Sequence, residues 1–190
     1  SWLQYTFSRK DFLNGDFTYH RMDFKTKYSI NYRFFGKTTL WLRASWMDKA
    51  APQSEMINGY GSAGSGFSLY APGSFTTMMA GEFLNDRFVG IFITHSFGKI
   101  LYQNPNFQPE PSVVFNFGIG GLERPDLHYL SLFKTMEKGY TEAGLLIDNI
   151  LSSPLSGIGC GVFYKAGAYS NATISKNFMF RLTLNYKISN

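Results

Sequence analysis

From Phe178 to Ile188 the chain alternates without a break. Phe178, Phe180, Leu182, Leu184, Tyr186 and Ile188 take the even positions; Met179, Arg181, Thr183, Asn185 and Lys187 take the odd ones. Successive side chains of a strand point to opposite faces, so this is a strand with one apolar and one polar face. Its length is about what a tilted strand needs to cross a bilayer. Residues 22–34 repeat the pattern, with Met22, Phe24, Thr26, Tyr28, Ile30, Tyr32 and Phe34 against Asp23, Lys25, Lys27, Ser29, Asn31 and Arg33. Alternation alone does not separate a soluble sandwich, whose polar face meets water outside, from a barrel, whose polar face meets water inside. Length helps: soluble strands usually run to about five or six residues, and these are twice that.

No apolar run approaches the ~20 residues of a membrane-spanning helix, and the mean hydropathy is −0.14. A transmembrane barrel escapes both tests, because its lumen-facing polar residues cancel its lipid-facing apolar ones. Aromatic residues make up 18% of the chain; they suit strands, and Tyr and Trp collect at membrane interfaces. The net charge is +5, but Lys and Arg sit at alternate strand positions and form no cluster, which predicts no nucleic-acid partner. A single Cys, Cys160, excludes an internal disulfide framework and a Cys-only metal site. The first residues, Ser1 to Tyr5, are already strand-like and no signal peptide precedes them, so an upstream portion is expected.

Further strand-like stretches cover residues 2–8, 38–47, 75–84, 87–97, 140–151 and 157–168. Short turns are predicted at residues 35–37, 85–86 and 152–155, and long insertions at 50–74 and 99–139. Outer-membrane barrels carry short turns at the periplasmic end and long loops outside. If the last strand ends in the periplasm, the turn at 152–155 is periplasmic. The turn at 85–86 shares that side only if an even number of crossings lies between, and strands 87–97 and 140–151 supply them. The apolar stretch 113–121 would break parity, so it is placed inside the long outer loop as a protruding hairpin. The turn at Gly36 is then periplasmic, 50–74 lies outside, and the count is eight crossings.

The C-terminal part resembles the barrels of the outer-membrane protein assembly and two-partner-secretion transporter superfamily, the surface-antigen barrels. The residues concerned are Glu142-Ala143-Gly144-Leu145, then Ser153-Pro154-Leu155-Ser156-Gly157, then Gly159, Gly161 and Phe163-Tyr164 before the closing strand. Ile57-Asn58-Gly59-Tyr60 stands where that family carries a Val-Arg-Gly-Tyr-type motif in its sixth outer loop, and Glu82-Phe83 matches a Glu-aromatic pair on the next strand. Phe92-Ile93-Thr94-His95 replaces a Phe-x-Asp-x-Gly motif. The motif Arg and the strand Asp are both absent, so the family's Arg-based anchoring of the loop does not carry over. The order of Gly139-Tyr140, Glu142, Gly144-Leu145, Tyr164, Gly167, Tyr169 and Asn177-Phe178 is most similar to a Bacteroidota family of unknown function with a carboxypeptidase-regulatory-like domain before its barrel. The resemblance covers most of residues 38–190. It implies an all-β, antiparallel transmembrane β-barrel, with this chain forming the C-terminal eight strands of a sixteen-stranded barrel.

Glu82, Glu142 and Asp148, with Arg43, Lys165, Arg181 and Lys187, fall on the faces assigned to the lumen. They either pair across a water-filled interior, at ~0–1 kcal/mol per pair, or form a conduit or loop-anchoring network. The Gly-rich stretch 59–66 lacks the Gly-Lys-Ser/Thr sequence and following helix of a phosphate loop; it is a flexible outer loop or, as in the resembled family, one that folds back into the lumen. His20, His95 and His128 lack ligand spacing, and no Gly-x-Ser-x-Gly element has strand-to-helix context. Neither cofactor, metal nor catalytic residue is expected. Cys160 should face lipid as a small apolar residue. Gly157, Gly159 and Gly161 admit bulky neighbours or bend the sheet; the resemblance offers a second role, a weak seam that opens sideways.

The sequence thus predicts a non-enzymatic domain of the bacterial outer membrane. Its expected partners are the lipid bilayer, the upstream half of the same barrel and other outer-membrane proteins. The expected roles are protein insertion, translocation or envelope maintenance. A passive porin-like or structural barrel subunit is the alternative, and a soluble β-sandwich binding module the third reading.

Overall fold

A computed structural model describes residues 1–10, 17–49, 51–64, 69–100, 104, 106–123, 134–153 and 155–186. In chain order the strands are β1 (Trp2–Ser8), β2 (Tyr19–Tyr32), β3 (Gly36–Met47), β4 (Gly61–Ala63), β5 (Phe75–Met79), β6 (Arg87–Ser96), β7 (Glu110–Gly121), β8 (Tyr140–Ser152), β9 (Ser156–Ala166) and β10 (Phe178–Tyr186). Eight of them form one sheet in the order β1-β2-β3-β6-β7-β8-β9-β10, antiparallel throughout. The sheet is open, with β1 and β10 as its edges. Strands β4 and β5 pair in parallel as a separate two-stranded unit. Among the described residues the only helices are short 3-10 turns.

The main sheet has the eight strands expected from the sequence, but one of them is a different segment. Residues 113–121 are not loop: they belong to β7, which pairs with β6 over Ser112–Gly121 and with β8 over Glu110–Gly118. Residues 75–84 do not cross: strand β5 covers only Phe75–Met79 and lies outside the main sheet. The two errors cancel in the count. With β7 restored, Arg87 pairs with Trp46 and with Gly121. This puts the 85–86 turn at the end opposite the turns at 33–35 and 153–155, a correction to the parity argument. The insertion at 99–139 likewise divides into two connectors, 97–109 and 122–139, at opposite ends of the sheet. Residues 50–74 leave the sheet at the end away from the turns at 33–35 and 153–155, as expected, but at the same end as 85–86.

The two faces of the sheet differ in kind. One is bare and apolar. Leu3, Met22, Tyr28, Trp46, Val89, Ile91, Val113, Phe115, Phe117, Ile119, Leu145, Ile147, Ile158 and Phe180 are all exposed on it. Polar side chains on this face satisfy one another: Tyr5 shares a hydrogen bond with His20, and Thr38 with His95 at 2.9 Å. Aromatic residues are frequent on this face, among them Tyr28, Trp46, Phe115, Phe117, Phe178 and Phe180. The opposite face carries Asp23, Ser45, Ser112, Asn116, Glu142, Arg181 and Thr183, all buried. They are buried because the chain between β3 and β6 doubles back over them.

Candidate functional site

The connector 48–86 leaves the sheet after Met47 and returns at Arg87, at the same end. Its neck is pinned where Ile57 and Asn85 exchange backbone hydrogen bonds of 3.0 and 2.8 Å. The Asn85 side chain adds a bond to the Ile57 carbonyl at 3.3 Å. Beyond the neck, Asn58 caps the turn by accepting the Tyr60 N–H at 3.2 Å. Gly59 and Tyr60 both have positive φ, 67° and 61°, which lays the segment onto the covered face. A Cβ at Gly59 would meet Met136 Sδ at 2.8 Å, so glycine is required there for space as well as for conformation.

An apolar cluster holds the segment down. Ile57, Phe75, Met78 and Phe83 of the connector and Met136 of the 122–139 connector pack on Phe88, Phe92 and Tyr140 of the sheet. Phe75 lies 4.9 Å from Phe92 and 5.0 Å from Tyr140, centroid to centroid, within the range of favourable aromatic pairs. Gly118 makes room for it: a Cβ there would stand 2.8 Å from the Phe75 ring. Tyr60 completes the contact with β3 and β6. Its ring is 5.2 Å from Phe88, the Arg43 guanidinium lies 4.5 Å over it, and its hydroxyl shares a 2.9 Å bond with Ser45 Oγ.

The polar anchor is Glu142 on β8, which is fully buried. Its Oε1 accepts the Thr76 N–H at 2.8 Å and Asn116 Nδ2 at 2.7 Å; its Oε2 accepts the Thr77 N–H at 2.8 Å and the Thr77 hydroxyl at 2.6 Å. Two consecutive backbone amides of β5 thus close on one carboxylate. A buried charge needs this degree of hydrogen bonding to be tolerated. From β10, Arg181 Nη2 donates to the Thr76 carbonyl at 2.9 Å, so the Thr76 carbonyl and the Thr77 N–H, the two polar groups of one peptide unit, are held by Arg181 and Glu142. Tyr140 shares a 2.9 Å bond with the Thr77 hydroxyl. Further along, the Tyr70 N–H donates to the Leu182 carbonyl at 2.8 Å on the β10 edge. Burial pushes the Tyr70 phenol above its ordinary value, against the opposing effect of its contact with Thr94.

The expected site residues divide accordingly. Ile57, Gly59 and Tyr60 lie on the covered face, with Asn58 exposed at the turn. Glu142 and Arg181 meet on Thr76. Glu82 is not on a crossing strand; it sits on the connector and pairs with Lys134 at 2.9 Å, because the strand that would have carried it ends at Met79. Lys165 stands opposite Glu142 in register, but no ion pair joins them among the described residues. Asp148 is half-buried, its Oδ1 without a hydrogen-bond partner, beside an irregularity in the β8–β9 pairing between Ile147 and Leu151. On the closing strand Phe178, Phe180 and Leu184 are exposed on the bare face with Leu182 half-buried there. Tyr186 pairs with Ser156 as the last described residue; Lys187, Ile188 and His128 lie outside the described residues.

Sequence reasoning missed Phe75, Thr76, Thr77 and Asn116. One signal was present: Ser112, Asn116, Gly118 and Gly120 alternate with Val113, Phe115, Phe117 and Ile119, a strand pattern that the parity argument overrode. Among the described residues no group of three or more His, Cys, Asp or Glu is placed to hold a metal ion. The family models, curated proteins and solved structures compared with the chain give no match.

Proposed function

We propose that this chain is membrane-embedded barrel wall of the bacterial outer membrane, with its bare face in lipid. The observation that supports this most is the inversion of the two faces. A soluble sandwich covers its apolar face with a second sheet and wets its polar face. Here the chain's own connector covers the polar face, and the apolar face is left bare over all eight strands. Exposed apolar patches of monomeric soluble proteins rarely exceed a few hundred Å².

The two edges of the sheet, β1 and β10, have no place in hydrocarbon, and beyond the contact of Tyr70 with Leu182 no further strand pairs with them among the described residues. In this reading they pair with strands supplied by the upstream half of the same barrel, as the resemblance to the surface-antigen superfamily implies. The domain is non-enzymatic and acts in protein insertion, translocation or envelope maintenance, with other outer-membrane proteins as partners. The connector clamped across the polar face speaks against the alternative of an open diffusion pore; a structural barrel subunit remains compatible with a plugged wall.

The test is Phe117→Arg, at mid-strand on the bare face. An Arg near the bilayer midplane costs about 2–4 kcal/mol. The substitution should lower the fraction of native protein folded into lipid vesicles, whereas Phe117→Leu should not. Equal folding of both variants, or a protein that stays monodisperse without detergent, would overturn the reading.

A further inference from the structure

On the covered face, beside the anchored connector, a cleft of about 710 Å³ runs along β1, β2 and β3. We infer that this cleft is a binding site for a multiply charged oxyanion, held by Lys25, Lys27 and Arg43. The inference is independent of what the bare face touches.

Three observations carry it. The first is an imbalance of charge. The cleft's two acids are already engaged: Asp23 takes both Arg21 and the Ser45 hydroxyl, the former through bonds of 2.7 and 3.0 Å, and Glu55 accepts the Tyr19 hydroxyl at 3.1 Å. No carboxylate is within ion-pairing distance of Lys25, Lys27 or Arg43 among the described residues.

The second is their arrangement. Lys25 and Arg43 are directly opposite in the β2–β3 register, and Lys27 is opposite Trp41. Like charges facing one another across a strand pair repel. Both ammonium groups converge on the Trp41 ring, at 4.7 and 4.9 Å from its centre. The ring gathers the cations but neutralises neither. A repulsive cluster maintained on a rigid sheet is the kind of local conflict found at binding sites.

The third is an orphaned donor. Arg43 stacks on Tyr60, and its Nε is buried without a hydrogen-bond partner. An oxyanion in the cleft supplies both the missing acceptor and the missing charge. Because Tyr60 belongs to the anchored connector, the site exists only while the connector lies on the sheet.

The experiment titrates the native protein, purified in detergent at low ionic strength, with inorganic pyrophosphate and separately with citrate, by calorimetry. Saturable binding is expected for at least one, weakened tenfold or more in Lys25→Gln/Lys27→Gln and by 0.3 M salt. Both lysines are partly exposed, so the variant keeps the fold; unaltered proteolytic resistance checks this. Preference for pyrophosphate assigns a phosphate-bearing ligand, and preference for citrate a polycarboxylate. The site is refuted by no binding of either anion, or by binding that the double variant leaves unchanged.

Discussion

Glu142→Gln isolates the anchor with the least change of shape. The carboxylate accepts four hydrogen bonds, two at each oxygen. An amide in its place turns one oxygen into a donor. If the NH2 group takes the Oε2 position, the Thr77 hydroxyl can rotate to accept from it, but the Thr77 N–H is left facing a donor. If it takes the Oε1 position, the Thr76 N–H and the Asn116 amide are both opposed. The first arrangement is the better one and loses one charge-assisted backbone bond, while the others weaken to neutral ones. A hydrogen bond to a charged group contributes about 1.5–3 kcal/mol. That loss falls on the local opening of β5 from the sheet, not on the sheet itself, whose strands keep their ladders. At about 1.4 kcal/mol per factor of ten, amide exchange across 75–79 should accelerate by roughly 10- to 150-fold. Exchange in β7, measured in the same spectra, should not change. Mass-spectrometric hydrogen exchange on the protein in detergent reads both. Unaltered exchange at 75–79 would show that the apolar cluster around Phe75 holds the connector and that the carboxylate is incidental. Acceleration in β7 as well would show that Glu142 stabilises the sheet and is no anchor.

Two other substitutions probe separate parts of the same structure. Gly118→Ala places a Cβ against the Phe75 and Phe88 rings, at 2.8 and 3.1 Å; overpacking of this kind costs about 1–3 kcal/mol, and limited proteolysis between 64 and 75 should quicken while β7 pairing persists. Cys160 lies exposed on the bare face, flanked in register by Ile147 and Leu182. In lipid vesicles it should resist a charged maleimide and react with an apolar one, and rapid reaction with both would contradict its burial in lipid.

The strands plainest in the sequence are those whose polar face is spelled out in side chains, although β6 and β9 are legible despite Gly90 and despite Gly157, Gly159 and Gly161. In β2 and β10 the polar face is spelled out by Lys, Arg, Asn and Ser, so period two is plain. In β7 the covered face is Ser112, Val114, Asn116, Gly118 and Gly120, an alternation weakened by glycine that parity then overrode. Gly118 and Gly120 are small because Phe75 and Asn85 occupy the space above them. The cause of the weakened pattern therefore lies in another segment. Residues 75–84 misled in the opposite sense. Phe75, Met78 and Phe83 are apolar because they are core, and a short apolar run cannot by itself distinguish a crossing strand from a plug. Parity then chose between the two on the assumption that a short turn at 85–86 must join neighbouring strands.

The anchor escaped notice for a different reason. A pairing of ionised side chains leaves a trace at both partners, and a search for an Arg in the loop and an Asp on the strand is a search for two residues. Glu142 instead binds the backbone amides of Thr76 and Thr77, groups that nearly every residue possesses. On the loop side only the Thr77 hydroxyl is a side-chain partner. The rest of the loop's part is geometric, supplied by the positive φ of Gly59 and Tyr60 and by Phe75 seated on Gly118. The backbone part of such an anchor excludes only proline, which has no N–H to donate, while the Thr77 hydroxyl adds a side-chain bond to the same carboxylate. Loss of the motif Arg therefore removes one means of holding the connector without releasing it, and the carboxylate that does the holding was recognised as a lumen-facing charge while its partners could not be.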